Sequence, residues 1–461
     1  MRCTLNQDDD SHAGAVLQKP LRARRADAMT GRVRVPGDKS ISHRALMFGG
    51  MATGSLRITG LLEAEDVLNT AAAMRAFGAD IERLDDGSWR VKGCGVGGLT
   101  QPAAPLDFGN AGTGTRLIMG VIAGHDMTVK LIGDASLSRR PMGRVLGPLK
   151  TMGLEVLDGD RETLPLTIRG SASLVPISYT LPVPSAQVKS AILIAGLMAR
   201  GETTVLEAEA TRDHTERMLL YLGADVRTEA RDGLTAITVS GDAELQGRDI
   251  IVPGDPSSAA FLVAAAVIVP GSDVTVEGVL VNETRSGFYT TLREMGADVA
   301  FENERDEGGE RVADIRARTS TLKGVAVPPE RAPSMIDEYP VLAVVAAFAD
   351  GETRMQGLAE LKVKESDRLA ATADGLAANG VIARVEGDDL IVTGATTVNG
   401  GGTVATHLDH RIAMAFLTLG LATEQPVTVD DAGIIATSFN EFTGLMGTLG
   451  ATFETVDGAA P

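Results

Sequence analysis

The sequence predicts an α/β protein of two pseudo-symmetric halves, each made of three strand–helix–strand–helix–strand–strand units. Three observations carry that expectation. The tetrapeptide VPGD occurs twice, at Val35–Asp38 and at Val252–Asp255. Glycines after the first copy return in register after the second: Gly54, Gly60 and Gly78 reappear as Gly271, Gly278 and Gly296 once one inserted residue is allowed. Self-similarity of this kind marks a duplicated architecture. A closing glycine also recurs at similar intervals, as Gly78, Gly153, Gly223, Gly296, Gly380 and Gly450. Glycine there is a natural helix stop, because it tolerates positive φ.

Each unit contributes two unlike helices. The first of each pair, such as SSAAFLVAAAVIV or YPVLAVVAAFA, is apolar nearly all round and is expected to be buried on most sides. The second, such as DVLNTAAAMRAFG or TRDHTERMLLYLG, mixes charge with an apolar stripe and belongs nearer the surface. Sheets and amphipathic helices should therefore wrap around buried helices. An ordinary doubly wound sheet is the alternative that the pattern leaves open.

A chain of 461 residues exceeds one comfortable core, so two domains are expected. Its net charge of −18 argues against nucleic acid or an anionic membrane as partner. Against that background, a local cluster of Arg and Lys carries more information. Two cysteines, Cys3 and Cys94, make no disulfide framework and suit a reducing, cytoplasmic setting. The longest apolar runs, such as Ala259–Val269, fall short of a membrane span. Residues 1–30 are polar, lack the apolar middle of a secretory signal, and read as a flexible extension.

The polar residues that break the pattern gather at the starts of the buried helices: DKSISHR (38–44), NAGTGTR (110–116), PSAQVKS (184–190), PGDPSSA (253–259), MIDEYP (335–340) and HLDHR (407–411). A helix N-terminus has unpaired N–H groups and a partial positive charge, so it attracts anions. Several such ends facing one cleft form an anion trap. Lys39, Ser40 and, one turn on, Arg44 stand at the first start. Gly112 at the second has no Cβ to obstruct a ligand. Arg139 and Arg140 precede Pro141, where paired cations oppose the dipole and suit a phosphate or carboxylate better. Ser185 and Gln187 are uncharged hydrogen-bonding groups; Ser185 alone also reads as a cap. Asp337 reads as an N-cap or as a base beside the trap. Lys364, Glu365 and Arg368 form either part of a site or a solvated helix face. His407 and His410 have no third partner at metal-ligand spacing, so no metal is expected. No nucleophile elbow, dinucleotide fingerprint or P-loop is present. Several cations with one or two carboxylates fit electrostatic and acid–base chemistry on a small, multiply anionic substrate, with no cofactor.

Taken in order, PGDKSISHR, FGNAGTGTR, LSRRPMG, PSAQVKSA, MIDEYP, KVKESDRL and LDHRIAM resemble the 5-enolpyruvylshikimate-3-phosphate (EPSP) synthase family, from about Gly31 to about Gly450. The wording KSISHR, SAQVKS and RDHTE is most similar to the bacterial class II branch. The resemblance implies the inside-out α/β barrel of the enolpyruvyl transferases. It places residues 38–252 in one domain, residues 31–37 with 253–461 in the other, and the active site in the cleft between them. It further implies a monomer that transfers the enolpyruvyl group of phosphoenolpyruvate to the 5-hydroxyl of shikimate 3-phosphate by addition and elimination, with glyphosate as inhibitor. Carried over by motif, Lys39 contacts both substrates. Ser40 and Arg44 hold the shikimate carboxylate. Ser185, Ala186, Gln187, Thr211, Arg212 and Lys364 serve shikimate 3-phosphate, as does Asp337, the base for its 5-hydroxyl. Gly112, Arg140 and Gln187 hold the phosphate of phosphoenolpyruvate, Arg368 and Arg411 clamp its carboxylate, and Glu365 protonates its methylene carbon.

Three departures from the family pattern stand out. Glu360 replaces an Asn of some members, and Thr437 and Ser438 stand where some carry a Lys. Gly112 stands where many class II sequences carry Ala, which is expected to leave this chain more sensitive to glyphosate. The rival sister reaction, on UDP-N-acetylglucosamine, typically uses a loop Cys; Cys94, in KGCGVGG, does not match that loop. A non-catalytic repeat scaffold is the other alternative, and it predicts no clustering of Lys39, Arg140, Asp337, Glu365, Arg368 and Arg411.

Overall fold

The computed structural model describes residues 19–456. Its first helix, α1 (Lys39–Met51), is capped by Asp38, whose carboxylate accepts the Ile41 N–H at 2.7 Å; such a cap is worth about 1 kcal/mol. α2 (Glu65–Ala76) follows, with Glu65 and Asp66 in its first turn where the dipole favours them. The pairing then repeats as α3 (Gly112–Ala123) with α4 (Gly143–Met152), α5 (Ala186–Gly196) with α6 (His214–Tyr221), and α7 (Pro256–Ile268) with α8 (Gly287–Glu294). After a single turn, α9 (Ala332–Met335), come α10 (Tyr339–Ala346) with α11 (Arg368–Ala378), and α12 (His410–Gly420) with α13 (Phe442–Thr448). Every residue of α7 and α10 is buried, and α1 is buried from Ile41 onward. The partner helices keep an exposed face, as their mixed composition requires. All six closing glycines adopt positive φ, between 79° and 120°.

Among the described residues, six four-stranded sheets, one per unit, share one internal order. In each, a short edge strand runs parallel to its neighbour while the other pairings are antiparallel. Distant chain completes three of them. Ile250–Ile251 joins the first sheet beside Ser55–Thr59, and Thr30–Val33 joins the fourth beside Asp273–Leu280. Leu21–Arg24 lies in the sixth sheet, between Val427–Val429 and Thr452–Thr455. This corrects the reading of residues 1–30 as a flexible extension. The described part of that segment contains an inner strand, Leu21–Arg24, and Ala23 on it is fully buried. Residues 1–18, and Cys3 with them, lie outside the described residues.

The apolar interior falls into two clusters. One runs from Ile41 to Val252 with Leu280; the other joins Ala23–Val35 to Ala259–Ala451. The chain passes between them at the two VPGD segments, which lie side by side. Asp38 N–H donates to the Pro253 carbonyl at 2.7 Å, and Asp255 N–H to that of Pro36 at 2.9 Å. Glycine is demanded there, since a Cβ on Gly37 would lie 1.9 Å from the Gly60 carbonyl oxygen. The repeated tetrapeptide is therefore a pair of hydrogen-bonded crossings.

Because Ala23 has no room for a polar group, Ala23→Asp should lower stability by about 3 kcal/mol. Its melting temperature should fall by about 5 °C or more; an unchanged melt would show that the strand is dispensable.

Candidate active site

Polar side chains from both halves meet at helix starts, of the buried helices and of their partners α4 and α11. The centre is Arg368, the first residue of α11, only 1% exposed. Its Nε donates to Asp409 Oδ2 at 2.8 Å and its Nη1 to Asp337 Oδ1 at 3.1 Å. Its Nη2 lies 2.6 Å from Glu365 Oε2, an ion pair too poorly aligned to be a hydrogen bond. Burial alone would lower the pKa of this guanidinium, but Asp409, Glu365 and Asp337 outweigh it and raise it. Asp409 also caps α12, accepting the Arg411 N–H at 2.9 Å. The capping alternative for Asp337 fails, because the residue before α10 is Glu338 and no side chain caps that helix. Asp337 instead accepts from Arg212 Nη2 at 2.6 Å, with Arg411 Nε 3.7 Å away.

The facing wall comes from the first cluster. Lys39, at the start of α1, forms a short ion pair with Asp66. Arg140 is bound to Asn110 and reaches Ser136 Oγ at 3.3 Å, while its Nε has no partner among the described residues. Arg116 Nη1 donates to Gln187 Oε1 at 2.9 Å, and Gln187 Nε2 donates to Thr113 Oγ1 at 3.0 Å. A Cβ on Gly112 would stand 2.9 Å from Arg140 Nη1 and 3.4 Å from Arg116 Nη1. Ser185 caps α5 through a long contact to Val188 N at 3.4 Å, and Ala186 opens that helix.

Three pairs bridge the walls: Arg212 with Asp337, Arg140 with Glu365 at 3.7 Å, and Arg144 with Glu360 at 3.0 Å. His410 opens α12 beside Asp409 and Arg411. Burial pushes its pKa down to about 3, and Arg411 and Lys39 add to the fall, while Asp409 and Glu365 oppose it. A scaffold with scattered charges is excluded by this convergence. Burial would raise Asp337, but Arg411, Arg212, Lys364 and Arg368 hold it well below the usual carboxylate range. Glu365 likewise sits well below its ordinary value, with Arg368, Arg140 and His410 outweighing burial. Lys364 is lowered, mainly by burial. Among the described residues, no three His, Cys, Asp or Glu side chains converge as metal ligands would.

Two expected ligands are differently placed. The Thr211 hydroxyl donates to Glu207 Oε2 at 2.8 Å, so its proton is committed inside the fold and Arg212 is the residue that faces the cleft. Arg44 is buried, with Nε on Thr215 Oγ1, Nη1 on the Ser40 carbonyl and Nη2 on Ser190 Oγ. Burial brings its pKa down to about 10. Only its remaining N–H groups are free of these three bonds. Other residues were not singled out from sequence. Asp66 and Asn110 orient Lys39 and Arg140, but nothing in the local sequence marks those pairings. Arg116 had a usable signal, lying one turn into the same helix start as Gly112.

The fold and the cleft define a class, the enolpyruvyl transferases. The enolpyruvyl transferase NikO from Streptomyces tendae superposes with a TM-score of 0.76 over 96% of this chain and 100% of its own, at 18% identity, which speaks to fold alone. EPSP synthase from Acinetobacter baumannii matches with a TM-score of 0.86 and 44% identity, over 95% of this chain and 100% of that one. The family model for EPSP synthase (3-phosphoshikimate 1-carboxyvinyltransferase) matches residues 23–446. Enzymes named 3-phosphoshikimate 1-carboxyvinyltransferase are 61% identical in Methylobacterium sp. (strain 4-46), over 95% of this chain and 98% of theirs, and 60% identical in Parvibaculum lavamentivorans, over 94% and 96%. The chain belongs to the EPSP synthase family.

A carboxyl whose folded pKa is depressed contributes stability above its unfolded pKa and loses it as pH falls through the folded value. Stability from Glu365 should therefore be full above its ordinary value of 4.5 and decline below it. Melting temperatures between pH 6 and pH 3 should fall less steeply for Glu365→Gln than for the unsubstituted protein. Parallel acid limbs would show that Glu365 is not held ionised.

Proposed function

We propose that this cleft transfers the enolpyruvyl group of phosphoenolpyruvate to the 5-hydroxyl of shikimate 3-phosphate, with the roles that the motifs imply. The observation that carries the reading is Arg368 standing between Asp337 and Glu365, one carboxylate for each proton that must move. Asp337, ionised, takes the 5-hydroxyl proton as the oxygen attacks C2 of phosphoenolpyruvate. Glu365 gives a proton to the methylene carbon, and a tetrahedral adduct forms. Glu365, now ionised, takes a proton back from the new methyl group as phosphate departs with the proton held on Asp337, which gives the enolpyruvyl ether and restores both carboxyl groups. Arg140, Gln187 and the Gly112 backbone serve the phosphate, Arg368 and Arg411 the carboxylate, and Lys39 both substrates. Ser40 and the free N–H groups of Arg44 meet the shikimate carboxylate. Ser185, Arg212 and Lys364 meet the 3-phosphate, which the N-terminus of α5 at Ala186 also favours. The cleft lies between residues 38–252 and residues 31–37 with 253–461, and the working unit is a cytoplasmic monomer. No helix among the described residues is long and apolar enough to cross a membrane.

Proton delivery by Glu365 has a physical route. Its pKa is depressed because Arg368 and Arg140 compensate its charge. Bound phosphoenolpyruvate takes those guanidinium groups for its own carboxylate and phosphate. Glu365 then keeps its burial and loses its partners, which raises its pKa toward protonation.

Two measurements test this. Phosphate release should require shikimate 3-phosphate and be absent with UDP-N-acetylglucosamine; Glu365→Gln should lower kcat by about 10²–10⁴-fold, the range for a general acid. No release with shikimate 3-phosphate would sink the proposal. Gly112→Ala should raise the glyphosate inhibition constant, because the methyl enters the phosphoenolpyruvate place and presses on Arg140. Equal constants for the two proteins would contradict that placement.

A further inference from the structure

Behind the cleft lies a second buried polar cluster to which the reaction assigns no part. Its hub is Arg285, which is 3% exposed. Nη1 donates to Asp38 Oδ2 at 2.8 Å, and Nη2 to Ser257 Oγ at 3.0 Å and Asp255 Oδ1 at 3.3 Å. One guanidinium thus holds the aspartates of both VPGD crossings, and each aspartate caps the helix that follows it. Two further contacts tie α6 to the second cluster: His214 Nδ1 to Glu310 Oε1 at 2.7 Å, and Asn282 Nδ2 to Asp213 Oδ1 at 2.6 Å. Ser257 is also hydrogen-bonded to Glu338.

The chain neighbours of these groups give the cluster a meaning. Asp38 precedes Lys39, Asp213 follows Arg212, and Glu338 follows Asp337. Three side chains of the cleft, from both walls, are therefore each one peptide away from a residue anchored in the same buried network. A buried guanidinium between two carboxylates is poor economy as a stabiliser, since apolar groups of similar volume often serve as well. Its fork geometry does what an apolar group cannot, fixing two backbones relative to one another.

The geometry points to Arg285 as a positioning residue, which clamps the two crossings so that Lys39, Arg212 and Asp337 stand in register across the cleft. This rests on the reading of the cleft given above. Misplacement of about 1 Å in a site of this kind costs on the order of 10²-fold in rate.

The test uses the full chain and two variants. Arg285→Lys keeps the charge but lacks the fork. The triple variant Arg285→Met, Asp38→Asn, Asp255→Asn removes the charges together and keeps both caps, because Asn caps as well as Asp. The expected result, for either variant that melts cooperatively near the unsubstituted protein, is a kcat per folded molecule lowered about tenfold or more, with both KM values within about threefold. A kcat within about twofold of the unsubstituted enzyme would overturn the proposal. So would failure of both variants to fold, since Arg285 would then be a folding element alone. Lys39→Met in the same phosphate-release assay separates the two readings. If it is fully active, the reading of the cleft fails, and the role of Arg285 with it. If it is inactive beside fully active Arg285 variants, only the clamp fails.

Discussion

A buried guanidinium surrounded by three carboxylates sets the terms for the rest of this molecule. Arg368 cannot be desolvated alone, so Asp409, Asp337 and Glu365 must stand around it. Asp337 and Glu365 come from the unit that carries Arg368 and Asp409 from the next, and each is placed by a helix start or by the loop before one. Asp409 caps α12, Asp337 precedes α10, and Glu365 lies one turn ahead of Arg368. Meeting that one requirement fixes how the last two units of the second half converge. Arg140 and Arg212 then extend the charge pattern to the other half through Glu365 and Asp337.

The cleft is thereby prepared for anions inside a chain of net charge −18. Arg368, Arg212, Arg411 and Lys39 stand beside carboxylates, and the two carboxylates proposed to do the chemistry are among them. On the proposed reading, an arriving polyanion competes for the same guanidinium groups, and that competition couples binding to acid–base readiness.

Much of this was legible in the sequence for a physical reason. The start of a buried, all-apolar helix has few structural uses for Lys or Arg, so Lys39 and Arg411 stood out; Arg140 stood out as one of a cation pair that opposes a helix dipole, and Arg368 only as part of a dense charged stretch that a solvated face would also explain. The closing glycines were legible because positive φ leaves little choice of residue. What escaped was set by tertiary pairing. Leu21–Arg24 looks like a polar tail until its partners, more than 400 residues away, are known. Thr211 sits in the same motif as Arg212, yet its hydroxyl faces Glu207 because Lys189 is buried against that glutamate. Arg44 carries no local sign that Thr215 and Ser190 will occupy it. Asp337 could be read as a cap or a base, and only the true start of α10, at Tyr339, removes the cap.

The central claim is that phosphoenolpyruvate displaces Glu365 from its arginines. The most direct measurement is a structure of the complex with phosphoenolpyruvate and shikimate 3-phosphate, using Glu365→Gln to arrest turnover. The account predicts the phosphoenolpyruvate carboxylate on Arg368 and Arg411, its phosphate on Arg140, Gln187 and the Gly112 N–H, and residue 365 beside its methylene carbon. Phosphoenolpyruvate bound elsewhere, or with residue 365 still paired to Arg368 and turned from that carbon, would contradict it.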